Sequence, residues 1–106
     1  MSGQLDHVAV NTAAFEETLH FYETIFQMTL SRTAGEQPCR KAWFHQGIQV
    51  NEVAADTQPG HYDHLAIRVP DRKQIMQRAL EYGCNALADR PNWLCTKDGT
   101  VIELLP

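Results

Sequence analysis

Leu5-Asp6-His7-Val8-Ala9-Val10 decides how this chain is read, because it returns as Tyr62-Asp63-His64-Leu65-Ala66-Ile67. His64 lies 57 positions after His7, a little over half of the 106 residues. Asp, His and Ala recur at matching places, and an aliphatic residue follows His and Ala in both copies. Each copy alternates as a short β-strand does, with one imidazole among aliphatic side chains. Self-similarity at a long fixed period marks a duplicated structural unit. Two related halves follow, repeat one over about residues 4–54 and repeat two over about residues 61–105, together forming one domain over residues 1–106. Each opens with a strand that aims a histidine at a common place.

Both halves continue alike. Asn11 or Thr12 is placed to cap a helix that runs to about Gln27. Phe15, Leu19, Tyr22 and Phe26 fall on one helical stripe, widened by Ile25, and Glu16, Glu17, His20 and Glu23 fall on the other face. Strands follow over residues 28–32, 39–46 and 48–54. The polar segment Ala55-Asp56-Thr57-Gln58-Pro59-Gly60 reads as a linker. The series then restarts with a strand over 62–69 and a helix capped by Asp71, with Gln74 completing the capping pattern. Ile75, Met76, Ala79 and Leu80 form that helix's buried stripe, and Gly83 ends it. Short strands over 85–88, 92–96 and 100–105 complete the chain. Strand, helix and three strands, twice over, give an α+β fold with a mixed or antiparallel sheet and helices on one face.

Strand alternation sorts the side chains. Val8 and Val10 share one face, Leu65, Ile67 and Val69 another, and Ile102 and Leu104 a third; these aliphatic faces take the helices. The opposite faces carry His7, His64 and Glu103, the last a carboxylate set among apolar residues. Two imidazoles and one carboxylate are a sufficient divalent-metal set, with positions left over for water or substrate. A fourth position falls on Asn51 or Glu52. Laying Gly47–Asn51 over Gly99–Glu103 matches Asn51 to Glu103, and packing Ile48 and Val50 under the helix turns Gln49 and Asn51 to the cavity. A β-bulge after Gly47 would bring Glu52 round instead. His45 shares a strand face with Lys41 and Trp43. His45 and Glu52 are the two candidates for a catalytic base. Trp43, Tyr62 and Trp93 are candidate aromatic pocket walls, and Arg68, on the His64 face, is a candidate for a substrate anion or a rim salt bridge.

Composition removes other classes. A net charge of −4 argues against a nucleic-acid binder. No apolar run approaches the roughly 20 residues of a membrane span. The first residues lack the basic and apolar regions of a signal peptide, so a cytoplasmic location is expected. Cys39, Cys84 and Cys95 are an odd number without Cys-x-x-Cys spacing, which argues for reduced, mostly buried thiols rather than disulfides or a thiolate zinc site.

The chain resembles a single-module member of the vicinal oxygen chelate superfamily, which includes glyoxalase I, type I extradiol dioxygenases, fosfomycin-resistance thiol transferases and bleomycin-binding proteins. The resemblance is carried by Leu5–Val10, the helix segment Leu19–Met28 with its Phe21-Tyr22 pair, His64-Leu65-Ala66-Ile67, the helix end Leu80-Glu81-Tyr82-Gly83, and Asp98-Gly99-Thr100-Val101-Ile102-Glu103-Leu104. It implies paired βαβββ units forming a mixed sheet curled around a cavity, helices on the outer face, usually in a homodimer. By position His7, His64 and Glu103 match family metal ligands, and a fourth ligand is expected near Asn51 or Glu52. The implied cofactor is a divalent metal: iron would favour oxygenation, whereas manganese, nickel, zinc or cobalt would favour isomerase, lyase or transferase chemistry on a small oxygenated substrate. The alternative implied by the same family is a metal-free protein that binds an antibiotic or another aromatic small molecule between aromatic walls. The chain departs from the family pattern at Lys97, where many members have proline before Asp-Gly, and in the short loop over residues 34–38.

Overall fold

A computed structural model describes residues 3–54 and 61–106; the linker expected over residues 55–60 lies outside them. The described residues form β1 (Gln4–Thr12), α1 (Phe15–Ile25), β2 (Leu30–Ala34), β3 (Lys41–Phe44), β4 (Ile48–Glu52), β5 (His61–Arg68), α2 (Arg72–Tyr82), β6 (Asn85–Ala86), β7 (Trp93–Cys95) and β8 (Val101–Leu105). The class is α+β with mixed strand pairing. Contacts divide the chain into two compact units, one of Val8–Asp63 and the other of Met1–His7 with His64–Pro106.

In the unit of Val8–Asp63, hydrogen bonding orders the strands β2-β3-β4-β1. β2–β3 and β3–β4 are antiparallel, while β4 runs parallel to β1 with Val8 opposite Ile48, Ala9 opposite Gln49 and Val10 opposite Val50. Phe15, Ala42, Phe44 and Val50 form its buried core, with Val10, Leu19, Tyr22 and Ile48 packed against them. The helix stripe is therefore Phe15, Leu19 and Tyr22. Ile25 and Phe26, expected on it, are more than half exposed, because the helix ends at Ile25 and Phe26 has left the helical turn. The cap also differs. β1 runs on through Asn11 and Thr12, which pair with Asn51 and Glu52, so neither is free to start a helix. Ala14 holds the N-cap position with no side-chain hydrogen bond. Thr12 instead accepts the Ala14 N–H at 3.0 Å and shares a hydroxyl contact with Thr18 at 2.9 Å. Glu16 and Glu17 in the first turn place negative charge at the positive end of the helix.

In the other unit the order is β1-β5-β8-β7-β6. β8 runs parallel to β5, with Leu65 opposite Ile102, Ala66 opposite Glu103 and Ile67 opposite Leu104. Val69, Leu94 and Leu104 are its core, covered by Ile67, Ile102 and the α2 residues Ile75, Met76 and Ala79. Leu80, expected on that stripe, is 44% exposed. Here the caps follow the expectation. Asp71 accepts the Gln74 N–H at 3.1 Å, and Gly83 takes the left-handed conformation, φ 116°, that closes the helix end. All three cysteines are free, and Cys39 is exposed rather than buried.

The two registers correct the alignment of the half-ends. Ala9 and Ala66 are equivalent in the repeat, and their neighbours across the parallel pair are Gln49 and Glu103. Gln49, not Asn51, is the counterpart of Glu103. The glycines mislead because Gly99 stands two residues further from its strand's polar position than Gly47 does. The matching signal is the sandwich Ile48-Gln49-Val50 against Ile102-Glu103-Leu104.

Candidate metal centre

His7 and His64 sit on β1 and β5 with their neighbours' aliphatic side chains turned to the opposite face. Both histidines are buried, at 8% and 4% exposure, and their rings meet edge to face with centroids 5.6 Å apart. Glu103 comes up from β8, half-buried, between them. Its Oε1 lies 3.3 Å from His64 Nε2 and 3.9 Å from His7 Nε2. One ligand atom from each of the three residues lies within 4.8 Å of the others, all in the unit of Met1–His7 and His64–Pro106.

The donors fit a divalent cation. His7 Nε2 is buried and makes no hydrogen bond among the described residues. Leaving a buried ring nitrogen in that state costs on the order of 1–3 kcal/mol, and a cation would remove the cost. The other ring nitrogen, Nδ1, is 2.8 Å from Asp6 Oδ2. A carboxylate behind a ligating imidazole is a recurring feature of metal sites. The His7 ring N–H is the largest influence on the Asp6 carboxyl; burial opposes it, and the Arg68 guanidinium adds to it, so the carboxyl is held below the usual carboxylate range. Trp93, opposite Glu103 on β7, lays its ring against His64 with centroids 4.5 Å apart, and Arg90 covers Trp93 at 4.9 Å.

The remaining candidates are placed as follows. Glu52 spends both carboxylate oxygens on Arg40, at 2.9 Å from Nε and 2.8 Å from Nη2. That guanidinium also reaches Glu16 at 3.0 Å and lies over the Phe15 ring at 4.7 Å. The Arg40 hydrogen bonds lower Glu52 to a pKa of about 2, so it stands as a permanently ionised structural partner, ill-suited to accept a proton near neutrality. His45 is exposed in the turn after β3 rather than on the strand face with Trp43. Asn51 accepts from Gln49 Nε2 at 2.8 Å and donates to Asn11 Oδ1 at 3.3 Å. Trp43 donates its indole N–H to Gln49 Oε1 at 2.8 Å and carries Arg32 over its ring at 4.0 Å. Arg68 pairs with Asp6 at 2.6 Å and donates to the Pro106 carbonyl at 2.8 Å. Tyr62 is 39% exposed on β5. Two residues given no site role from sequence carry weight here: Asp6, the repeated acid before each histidine, and Gln49, which alternation turns to the same face as Asn51.

A duplicated βαβββ frame of α+β class brings two histidines and a late glutamate within reach of one another. The sequence profile of the Glyoxalase/Bleomycin resistance protein/Dioxygenase superfamily matches residues 4–91, and the chain belongs to that family. No curated protein sequence matches the chain. Among solved structures, a hypothetical protein from Bacillus halodurans is similar with a TM-score of 0.80 at 20% identity, covering 98% of this chain and 94% of that one. Methylmalonyl-CoA epimerase of Streptomyces coelicolor, solved with 2-nitronate-propionyl-CoA, gives 0.73 at 20% identity over 95% and 94% of the two chains. The epimerase of Mycobacterium tuberculosis gives 0.70 at 21% identity over 94% and 85%. At these identities the likeness is one of fold. No helix among the described residues is long and apolar enough to cross a membrane.

Proposed function

We propose that the chain is a metal-dependent enzyme of isomerase type, in which His7, His64 and Glu103 hold one divalent cation beside a small oxygenated substrate. The observation that carries this is the buried, unbonded Nε2 of His7 aimed into the same space as His64 Nε2 and Glu103 Oε1. Bound there, the cation would supply Lewis-acid stabilisation of negative charge developing on a substrate oxygen. The chain's own groups do the rest. Asp6 keeps the His7 ring turned, with its Nδ1–H directed away from the site. Trp93 packs the His64 ring and fixes its plane. Glu103 brings one negative charge to balance the cation. A thioester of a 2-substituted acid is the substrate class to test first, since two solved neighbours are epimerases of methylmalonyl-CoA. The two expected bases fall away as free groups: Glu52 is tied to Arg40 and His45 is on an exposed turn.

A metal-free binding protein of the bleomycin-resistance kind would bury the same nitrogen at a cost and gain nothing from it. Metal analysis of protein purified without chelator separates the two. About one divalent ion per chain is expected, absent from a His7→Ala/His64→Ala variant. Equal metal content in that variant overturns the site. Exchange of the α-proton of methylmalonyl-CoA in deuterated water, followed by NMR, then tests the isomerase chemistry. No exchange with the metal-loaded protein rejects that substrate class.

A further inference from the structure

Asp6 uses its two carboxylate oxygens on two different partners. Oδ2 faces His7 Nδ1 at 2.8 Å and Oδ1 faces Arg68 Nη2 at 2.6 Å. Arg68 is itself held by its second nitrogen, which donates to the Pro106 carbonyl at 2.8 Å. An ionised carboxylate only accepts hydrogen bonds, and a guanidinium only donates them. The polarity of the contact is therefore fixed: His7 Nδ1 carries the hydrogen, and in a neutral ring Nε2 is left with its lone pair. That lone pair is on the buried nitrogen 3.9 Å from Glu103 Oε1.

The repeat supplies an independent comparison. Arg68 follows His64 by four residues, and Asn11 follows His7 by four. Asp63 precedes His64 as Asp6 precedes His7. In the unit of Val8–Asp63, Asn11 Nδ2 donates to Asp63 Oδ1 at 3.1 Å. The same contact is thus made twice, from the acid before one histidine to the residue four after the other. Only the copy that serves His7 is charged at both ends, and it is the shorter by half an ångström.

We propose that Arg68 and Asp6 act as a positioning clasp that locks His7 in its Nδ1–H tautomer, so that Nε2 presents a preformed donor toward Glu103. The clasp stands on the hydrogen-bond geometry of Asp6, His7 and Arg68; its consequence for affinity rests on the metal-site reading above. Outer carboxylate partners of this kind change metal affinity by 10- to 100-fold when removed. Arg68 acts one bond further out, so its loss weakens binding less, by several-fold.

The test uses the full chain labelled with 15N-histidine. In the metal-free wild type at alkaline pH, the His7 ring shows one protonated nitrogen, Nδ1, and one lone-pair nitrogen, Nε2. Arg68→Met and Asp6→Asn both bring the His7 signals toward a tautomer mixture, and Arg68→Lys restores most of the wild-type pattern. Zinc titration of the same proteins gives affinity lowered several-fold in Arg68→Met and at least 10-fold in Asp6→Asn. Arg68 is about half exposed, so its replacement leaves the core intact. A wild-type ring protonated on Nε2, or variants with unchanged tautomer, overturns the clasp whatever the metal does. Unchanged zinc affinity with a shifted tautomer overturns its claimed consequence. If zinc fails to bind the wild type at all, the metal site falls, and the tautomer measurement still decides the clasp.

Discussion

Replacing Trp43 by phenylalanine tests the polar side of β4. Four side-chain hydrogen bonds run in sequence there: Trp43 Nε1 to Gln49 Oε1 at 2.8 Å, Gln49 Nε2 to Asn51 Oδ1 at 2.8 Å, Asn51 Nδ2 to Asn11 Oδ1 at 3.3 Å, and Asn11 Nδ2 to Asp63 Oδ1 at 3.1 Å. The two ends set the direction. An indole N–H only donates and a carboxylate only accepts, so all three amides must point one way. Trp43→Phe keeps an aromatic ring but removes the first donor and leaves Gln49 Oε1 without it. Gln49 is only 5% exposed, so water replaces the indole poorly. The unsatisfied acceptor costs about 2 kcal/mol, in the range for a buried polar group stripped of its partner. In a domain near 100 residues that lowers Tm by roughly 10 °C. Urea unfolding followed by far-UV circular dichroism measures it without relying on the lost tryptophan. A second arm adds Gln49→Leu to Trp43→Phe. Coupling of about 1 kcal/mol is expected between the two changes, because they remove the two ends of one bond. A Trp43→Phe protein within 0.5 kcal/mol of wild type, with no coupling to Gln49→Leu, would refute the relay.

Three further outcomes follow from the packing and the charges. Val50→Ala, at a fully buried position under α1, destabilises by about 2 kcal/mol from two lost methyl groups and the space they leave, read as a lower urea midpoint at unchanged m-value. Asp71→Ala removes the acceptor of the Gln74 N–H and costs about 1 kcal/mol in chemical denaturation, whereas Asp71→Ser retains most of it. Glu52 has a folded pKa of about 2 against an ordinary value of 4.5, so its pairing with Arg40 stabilises the fold fully above pH 4.5 and is lost as pH falls toward 2. Wild-type stability measured from pH 5 to 2.5 therefore falls more steeply than that of Glu52→Gln, and parallel slopes would count against the pairing.

The duplication, the element order and the trio His7, His64 and Glu103 are legible in sequence because each leaves a pattern of period two or a repeated word. The structure brings those three side chains together. What sequence hides is where a pattern is interrupted. Asn11 and Thr12 have good capping chemistry, but their backbone is claimed by pairing with β4, and a strand ladder outweighs a cap worth about 1 kcal/mol. Phe26 has the right spacing for the α1 stripe but follows the last helical residue. Glu52 carries the residue type of a ligand or base, yet Arg40, twelve positions away, takes both its oxygens, and nothing in the local sequence announces that partner. The match of Gln49 to Glu103 is hidden by its neighbours: the conspicuous Gly47 and Gly99 invite an alignment that the strand register does not keep.

The register also shows how the two copies of one duplicated frame come to differ at a single polar position. Trp43 stands opposite Gln49 and Trp93 opposite Glu103, so the repeat places a tryptophan beside the same polar position twice. In one unit that position is an amide, and it closes on the indole and on Asn51 as part of a hydrogen-bonded relay that ends on Asp63. In the other it is a carboxylate, and its oxygen is directed at two imidazole nitrogens. The residue four after each histidine differs in the same sense, Asn11 in one and Arg68 in the other. β1 supplies the asymmetry with its reach: its first half, ending at His7, belongs to the compact unit built from His64–Pro106, and its second half belongs to the other. The histidine of repeat one is thereby housed with the histidine and glutamate of repeat two. A single amide-to-acid difference at that shared position separates a face whose polar group is satisfied by its neighbours from one whose carboxylate meets two imidazoles.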